Sequence, residues 1–364
     1  MNGCWTVIRA QVSELHPAYA AVVMATGIVS TGLALVGQQV LSIILLILAV
    51  VSFLVLLVGY VWRLIMNPGQ VIADSRDPAS GFGFFTLVAG ANVIGDRLAM
   101  SGMLLATEVL AAVSGLLWLF LTYAVLGAMI AGRRRGPILP NANGSWFLLV
   151  VSTQSLATSA AAVATAAPDR AAVLAPVAVI LWGVGVIWYL LLAGLLIVPL
   201  LERPTAPRVL GPTYWIYMGA TAITVLAAAR ILQLPRTVSV VAASREAMSG
   251  ISLFLWAFGT WWIPLLIIVT LRQHVLAKDR VPVHYEPTIW SVAFPLGMYA
   301  VASDAYGRLF GLPFMIDIGA VEVWIGLGAW LGISAAMGRS VLSAWRQTVR
   351  PQNQQDPSEK GLGT

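Results

Sequence analysis

Apolar residues gather in long runs separated by short polar stretches rich in Pro, Gly and Arg, and the pattern predicts ten membrane-crossing helices. A crossing of ~30 Å of hydrocarbon takes about 20 residues, a length most of these runs reach. The predicted spans are Pro17–Val36, Val40–Trp62, Gly81–Gly95, Met103–Ala131, Ser145–Ala166, Ala171–Leu200, Pro212–Ala229, Ala247–Leu271, Thr288–Ala305 and Ile316–Gly338. The third is short for a crossing, and the fourth and sixth are long. Residues 1–15 read as an interfacial segment on the cytoplasmic side, without the apolar centre and cleavage site of a signal peptide. Residues 16–338 form the transmembrane domain, and residues 339–364 read as a polar, disordered cytoplasmic tail.

The odd-numbered spans open alike, with Pro or Gly followed two or three residues later by an aromatic: Pro17 and Tyr19, Gly81 and Phe84, Gly144 and Trp146, Pro212 and Tyr214, Pro287 and Trp290. These starts lie 64, 63, 68 and 75 residues apart, which predicts five tandem helical hairpins. Proline suits a first helical turn, where its missing N–H would have had no partner, and the aromatic suits the headgroup level. The two helix classes also differ in content. Even spans are bulky and apolar, as in Leu41–Leu57 and Ile180–Leu200, which suits contact with lipid. Odd spans carry small and hydroxylated residues, among them Thr26, Gly27, Ser30, Thr86, Gly90, Asn92, Thr153, Gln154, Gly219, Thr221, Gly297 and Ser303. Such residues permit close helix approach and face protein or water rather than lipid. The split predicts five odd helices around a polar axis and five even helices outside them.

Composition agrees with a life in lipid. Of the 364 residues 59% are apolar and 10% charged, with a mean hydropathy of +0.87, whereas soluble domains carry roughly 25% charged residues. A soluble fold is thereby excluded. The single cysteine, Cys4, rules out an internal disulfide. The net charge of +6 is spread over short loops and makes no nucleic-acid patch. Its distribution is uneven: with the predicted spans, 15 of the 21 Lys and Arg residues fall on the side of both termini, Arg133–Arg135 among them, and six on the other. The positive-inside rule then places both termini in the cytoplasm of a plasma-membrane protein.

The segments His16-Pro17-Ala-Tyr-Ala-Ala-Val-Val-Met-Ala-Thr-Gly27-Ile-Val-Ser30 and Trp290-Ser-Val-Ala-Phe294-Pro295-Leu-Gly297, supported by Gly144-Ser-Trp-Phe147 and Pro212-Thr-Tyr-Trp215, resemble the tellurite-resistance/dicarboxylate transporter family. That family includes plant slow anion channels, fungal malate permeases and sulfite pumps, and bacterial tellurite-resistance proteins. The resemblance covers all ten spans, from about Leu15 to Gly338. It implies a quasi-fivefold pore of odd helices within one protomer, homotrimeric assembly, and passage of anions past an occluding aromatic, a position that Phe294 matches. One departure is that several family members kink most inner helices with a mid-span Pro, whereas here only the ninth span has one, Pro295. Glycine permits a bend without forcing it.

Phe294 has a local argument too. Pro295 removes one backbone donor, so the ninth span should bend there, and Trp290 and Phe294, four residues apart, share a helix face. On the pore side the ring is an apolar plug; on the other side it is interhelical packing. The hydroxyl and amide groups of Thr26, Thr86, Asn92, Thr153, Gln154 and Thr221 are candidate weak donors for a passing anion. Arg230, at the outer end of the seventh span, reads equally as an attractor of anions and as a contact for lipid headgroups. Glu108 and Glu322 lie near the outer ends of the fourth and tenth spans, across short turns from Arg97 and Arg308, and read as structural ion pairs. The competing reading gives one of them, or Asp304, a proton-coupling role. His16, His274 and His284 stand at separate helix ends, as solvated side chains rather than ligands, and no metal site, cofactor motif or catalytic set is found. The leading expectation is a channel-like or weakly coupled anion permease. A proton-coupled carrier of C4-dicarboxylates, sulfite or tellurite is the alternative, and an intramembrane enzyme or sensor has little in its favour.

Overall fold

The computed structural model describes residues 9, 12–131, 138–202, 211–276 and 285–349, and every regular element among them is helical. The helices are α1 (Ala21–Leu35), α2 (Gln39–Met66), the short α3 (Pro68–Arg76), α4 (Phe85–Ala99), α5 (Leu104–Ala131), α6 (Leu148–Ala166), α7 (Ala171–Glu202), α8 (Ile216–Leu232), α9 (Ser239–Leu271), α10 (Trp290–Phe310) and α11 (Pro313–Val349). The Arg133–Arg135 loop, Arg203, Arg208, His284, the tail from Pro351 and most of residues 1–15 lie outside the described residues.

Each of α1, α4, α6, α8 and α10 begins with a single 3-10 turn: Pro17–Ala20, Gly81–Phe84, Gly144–Phe147, Pro212–Trp215 and Pro287–Ile289. These are the Pro/Gly-aromatic starts of the sequence repeat. The five turns touch one another in sequence order and close from the last back to the first. Two glycines make the approach possible, since a Cβ on Gly144 would meet the Thr213 backbone and one on Gly83 would lie 2.9 Å from the Ala18 nitrogen. Beyond the turns the helices repeat the circuit: α1 packs on α4, α4 on α6, α6 on α8, α8 on α10, and α10 on α1. Each also packs on the long helix that follows it, giving the pairs α1–α2, α4–α5, α6–α7, α8–α9 and α10–α11.

The buried core runs through this inner circuit, while Leu, Ile, Val and Phe side chains on α2, α5, α7, α9 and α11 are widely exposed. By length and composition eight helices can cross a membrane, and a ninth if α3 and the Gly81–Ala99 segment, bent by 113° from each other, count as one span. The sequence reading expected ten. The difference lies in α4 and α10, the most polar of the inner set. Both are enclosed by neighbouring helices, so neither needs an apolar surface of its own. Several helix boundaries move past charged residues that had been taken for loop, Arg63 into α2, Arg308 into α10 and Arg339 into α11 among them. Asp96 and Arg97 belong to α4, Arg230 to α8, and Arg245 to α9. Arg245 is held there by donating to the Leu232 carbonyl at 2.7 Å.

Candidate functional site

The hydroxyl and amide groups expected to line a pore turn instead toward neighbouring helices. Thr26 accepts the indole N–H of Trp330 on α11 at 2.9 Å, and Thr153 accepts that of Trp118 on α5 at 2.9 Å. The Gln154 amide donates to the Trp182 carbonyl on α7 and packs on Gly185. Thr221 fills the space over Gly259 of α9. Asn92 donates to the Val88 carbonyl and to the Ser114 hydroxyl on α5, both at 2.9 Å, and Thr86 donates to the Gly83 carbonyl at 2.7 Å. The glycines mark close approach: Gly27 against Val93, Gly90 against Val23, Gly219 against Pro295, and Gly297 against Ile28 and Val29. Composition tells that a polar side chain in a bilayer faces protein or water, and these face protein. Trp290 likewise lies against Trp330, with ring centroids 6.4 Å apart, and donates to the Tyr285 hydroxyl.

A regularity absent from the sequence reading emerges from these bonds. Trp118, Trp182, Trp256 and Trp330 stand on four successive outer helices, and each donates its indole N–H to the next inner helix: to Thr153 on α6, the Thr224 carbonyl on α8, Ser303 on α10 and Thr26 on α1. Each bond ties one hairpin to the next, the last returning to the first. Their spacings of 64, 74 and 74 residues were there to be found as a repeat of a single residue type in the even spans.

One cleft receives side chains from all five inner helices. Ile28 and Thr31 come from α1, Val93 and Asp96 from α4, Thr158 from α6, Ile223 and Arg230 from α8, and Met298 and Val301 from α10. It lies toward the ends at which the inner helices finish. Asp96 accepts a 2.7 Å bond from the Ser159 hydroxyl. The Arg230 side chain faces the same cleft and makes no hydrogen bond or ion pair among the described residues. Helical spacing continues the cleft-lining face back toward the helix starts: Met24 is one turn before Ile28, and Phe294 one turn before Met298 and two before Val301. Met24 and Phe294 are both 1% exposed. The inner helices thus bring polar and charged side chains to the cleft and bury apolar ones a turn before it. Pro295, beside Phe294, packs on Gly219 of α8 and withdraws one donor from the α10 ladder.

The acidic residues pair differently from expectation. Glu108 bonds Arg170, not Arg97. The Arg97 side chain, 3% exposed, is turned to α2, where its Nε and Nη2 donate to the Ser42 hydroxyl at 3.1 and 2.9 Å. Arg308 pairs with Asp304, one turn earlier on its own helix, at 2.9 Å, and Glu322 keeps one buried oxygen without a hydrogen-bond partner among the described residues. His16 is half-buried rather than solvated: its Nδ1 accepts the Ala18 N–H at 3.1 Å, capping the first 3-10 turn. Burial lowers its pKa, and nearby Asp74 opposes the shift.

Comparison with known proteins places these features in a lineage. The chain is 42% identical over 149 residues to an uncharacterized membrane protein of Mycobacterium tuberculosis, covering 41% of this chain and 74% of that one. It is 22% and 24% identical to two uncharacterized transporters of Methanocaldococcus jannaschii, over 89% and 88% of this chain and 94% and 91% of theirs. A family model for SLAC1, described as a voltage-dependent anion channel, matches residues 14–337. The resemblance read from the first and ninth spans is thereby borne out, and the chain belongs to the SLAC1 family of multi-pass membrane proteins that transport anions.

Proposed function

We propose that this protein passes small anions across the plasma membrane along the axis enclosed by α1, α4, α6, α8 and α10, as a channel or weakly coupled permease. In this reading the inner helices are five hairpins' first members in a quasi-fivefold ring, the other long helices face lipid or further protomers of a homotrimer, and both termini are cytoplasmic. The observation that carries it is the cleft itself, because every inner helix contributes to it. The family's description as an anion channel supports the substrate class. Phe294 is the closing element: its ring continues the cleft-lining face among buried apolar side chains, where an ion cannot keep its hydration. Chloride, nitrate, sulfite and C4-dicarboxylates are the anions to compare.

The test is flux through purified protein in liposomes, with these anions at two pH values and no imposed pH gradient. Phe294→Ala should fold and raise flux severalfold. A well-folded Phe294→Ala protein with unchanged flux overturns the gate, and flux that appears only with a pH gradient favours the proton-coupled carrier.

A further inference from the structure

Asp96 and Arg230 are two opposite charges facing one cleft without closing into an ion pair. Ordinarily a guanidinium and a carboxylate that share a half-buried cleft would pair, because each alone is costly to desolvate. Here Asp96 takes its hydrogen bond from Ser159 on α6, which holds the carboxylate on its own side. The Arg230 donors are left facing the cleft, whereas Thr31 and Thr158, which also line it, donate their hydroxyl protons to the Gly27 and Ser155 carbonyls of their own helices. A guanidinium with free donors, in a cleft that no other side chain satisfies, recognises an anion.

We propose that this cleft is a binding site for a small monoanion, held by Arg230, and that Asp96 is its internal competitor, so that anion binding is coupled to proton uptake by Asp96. The inference rests on the transport reading and adds to it a site and a regulation. One cation faces the space. With Asp96 ionised, an entering anion adds a second negative charge beside a single guanidinium, in surroundings that screen poorly. With Asp96 protonated, the anion faces Arg230 alone. By linkage, protons then tighten anion binding and the anion raises proton affinity by the same factor.

The surroundings of Asp96 leave Arg230 as the charged group that matters. From α1 comes Thr31, from α6 Thr158 and Ser159, and from α10 Met298 and Val301, none of them charged. On α4 itself Arg97 points away to Ser42, whose helix, α2, brings no acid there. On α5, Thr107 bonds the Gly95 carbonyl, while Glu108 is engaged by Arg170 at the surface.

The experiment measures nitrate binding to the purified full-length protein, by nitrate-dependent thermal stabilisation in detergent, at pH 7.5 and pH 5.5, with liposome nitrate flux measured in parallel. The wild type should bind nitrate about tenfold more tightly at the lower pH. Asp96→Asn should bind at pH 7.5 as tightly as the wild type does at pH 5.5, with the pH response gone. Arg230→Gln should lose binding at both pH values, and Arg230→Lys should restore part of it. If Asp96→Asn does not fold, Ser159→Ala serves in its place: losing the hydroxyl that stabilises the carboxylate should move the midpoint of the pH response upward. A pH response that persists in Asp96→Asn, or nitrate binding untouched by Arg230→Gln, overturns the proposal. Binding that behaves as expected in a protein that passes no anion would leave the site standing and bring down the transport reading instead.

Discussion

Helices α5 and α6 lie side by side and use their side chains in opposite ways. Of the α6 span 94% is buried inside the protein and of the α5 span 17%, although α5 is the more apolar of the two. The same inversion separates α8, 94% buried, from α2, 22% buried. In water the more apolar element would be the core. In a bilayer the lipid tails receive apolar side chains at no cost, so Leu and Ile lose nothing by facing outward, and protein contacts are made by what lipid cannot satisfy. Small residues, hydroxyls and indole N–H groups hold the inner ring together and tie the outer helices to it. Hydrophobic content here predicts exposure, and polarity predicts burial.

If small-residue contact holds the inner ring, the largest effect should come where backbone meets backbone. Gly144→Ala would drive a Cβ into the Thr213 carbonyl, with no flexible atom to give way. Folded protein should fall to a small fraction of wild type by size-exclusion chromatography. Gly185→Ala, whose Cβ would meet the movable end of Gln154, should be markedly milder. Equal losses at both positions would mean that close backbone approach is not what distinguishes the ring.

Next in size are the indole links. Trp118→Phe, Trp256→Phe and Trp330→Phe each remove one donor while Thr153, Ser303 and Thr26 keep their hydroxyls. Each should cost about 0.5–1.5 kcal/mol, with roughly additive losses in pairwise combinations because the sites are far apart. Reversible unfolding in detergent and denaturant mixtures would measure it. A cost concentrated in a single tryptophan would show that the three links are not equivalent.

The repeat was legible in the sequence because Pro, Gly and an interfacial aromatic each have a local cause, and those causes recur at every inner helix. That Thr26 and Thr153 avoid lipid was legible too, although both were read as pore-lining. Which protein surface they face was not, since a hydroxyl four residues from a carbonyl looks the same whether its far side meets an indole or the axis. Asp96 escaped for a more specific reason. The third span was closed at Gly95 and the seventh at Ala229, each one residue before a charge, so both charged axial residues fell outside their helices. The helical spacing that links Ala89, Val93 and Asp96 would have recovered the first of them. The Arg97–Glu108 pairing failed because nearness along a turn says nothing of direction, and Arg97 turns to α2.

A smaller effect belongs to the edge of the bundle. The His16 cap needs a neutral imidazole, and burial lowers the pKa below the ordinary 6.5. Protons therefore bind the unfolded chain first. The stabilisation from the cap is complete above about pH 6.5 and is lost as the pH falls from there toward the lower folded value. Thermal unfolding of the wild type should show this decline. In His16→Asn, whose side-chain oxygen can cap without titrating, the decline should flatten. An identical pH profile in both proteins would assign the decline elsewhere. The smallest effect is expected on the lipid side, where Leu116→Ala, at a position 73% exposed, should leave stability in detergent within experimental error.

The central claim is that anions travel along the axial face of the inner helices and not among the polar side chains between inner and outer helices. In a Cys4→Ser background, liposome flux through Val301→Cys and Thr153→Cys, before and after a negatively charged thiol reagent, tests it most directly. Val301 borders the axial cleft, whereas Thr153 is turned to Trp118. The account predicts that the reagent abolishes flux through Val301→Cys and leaves Thr153→Cys unaffected. Inhibition at Thr153 with none at Val301 would contradict it.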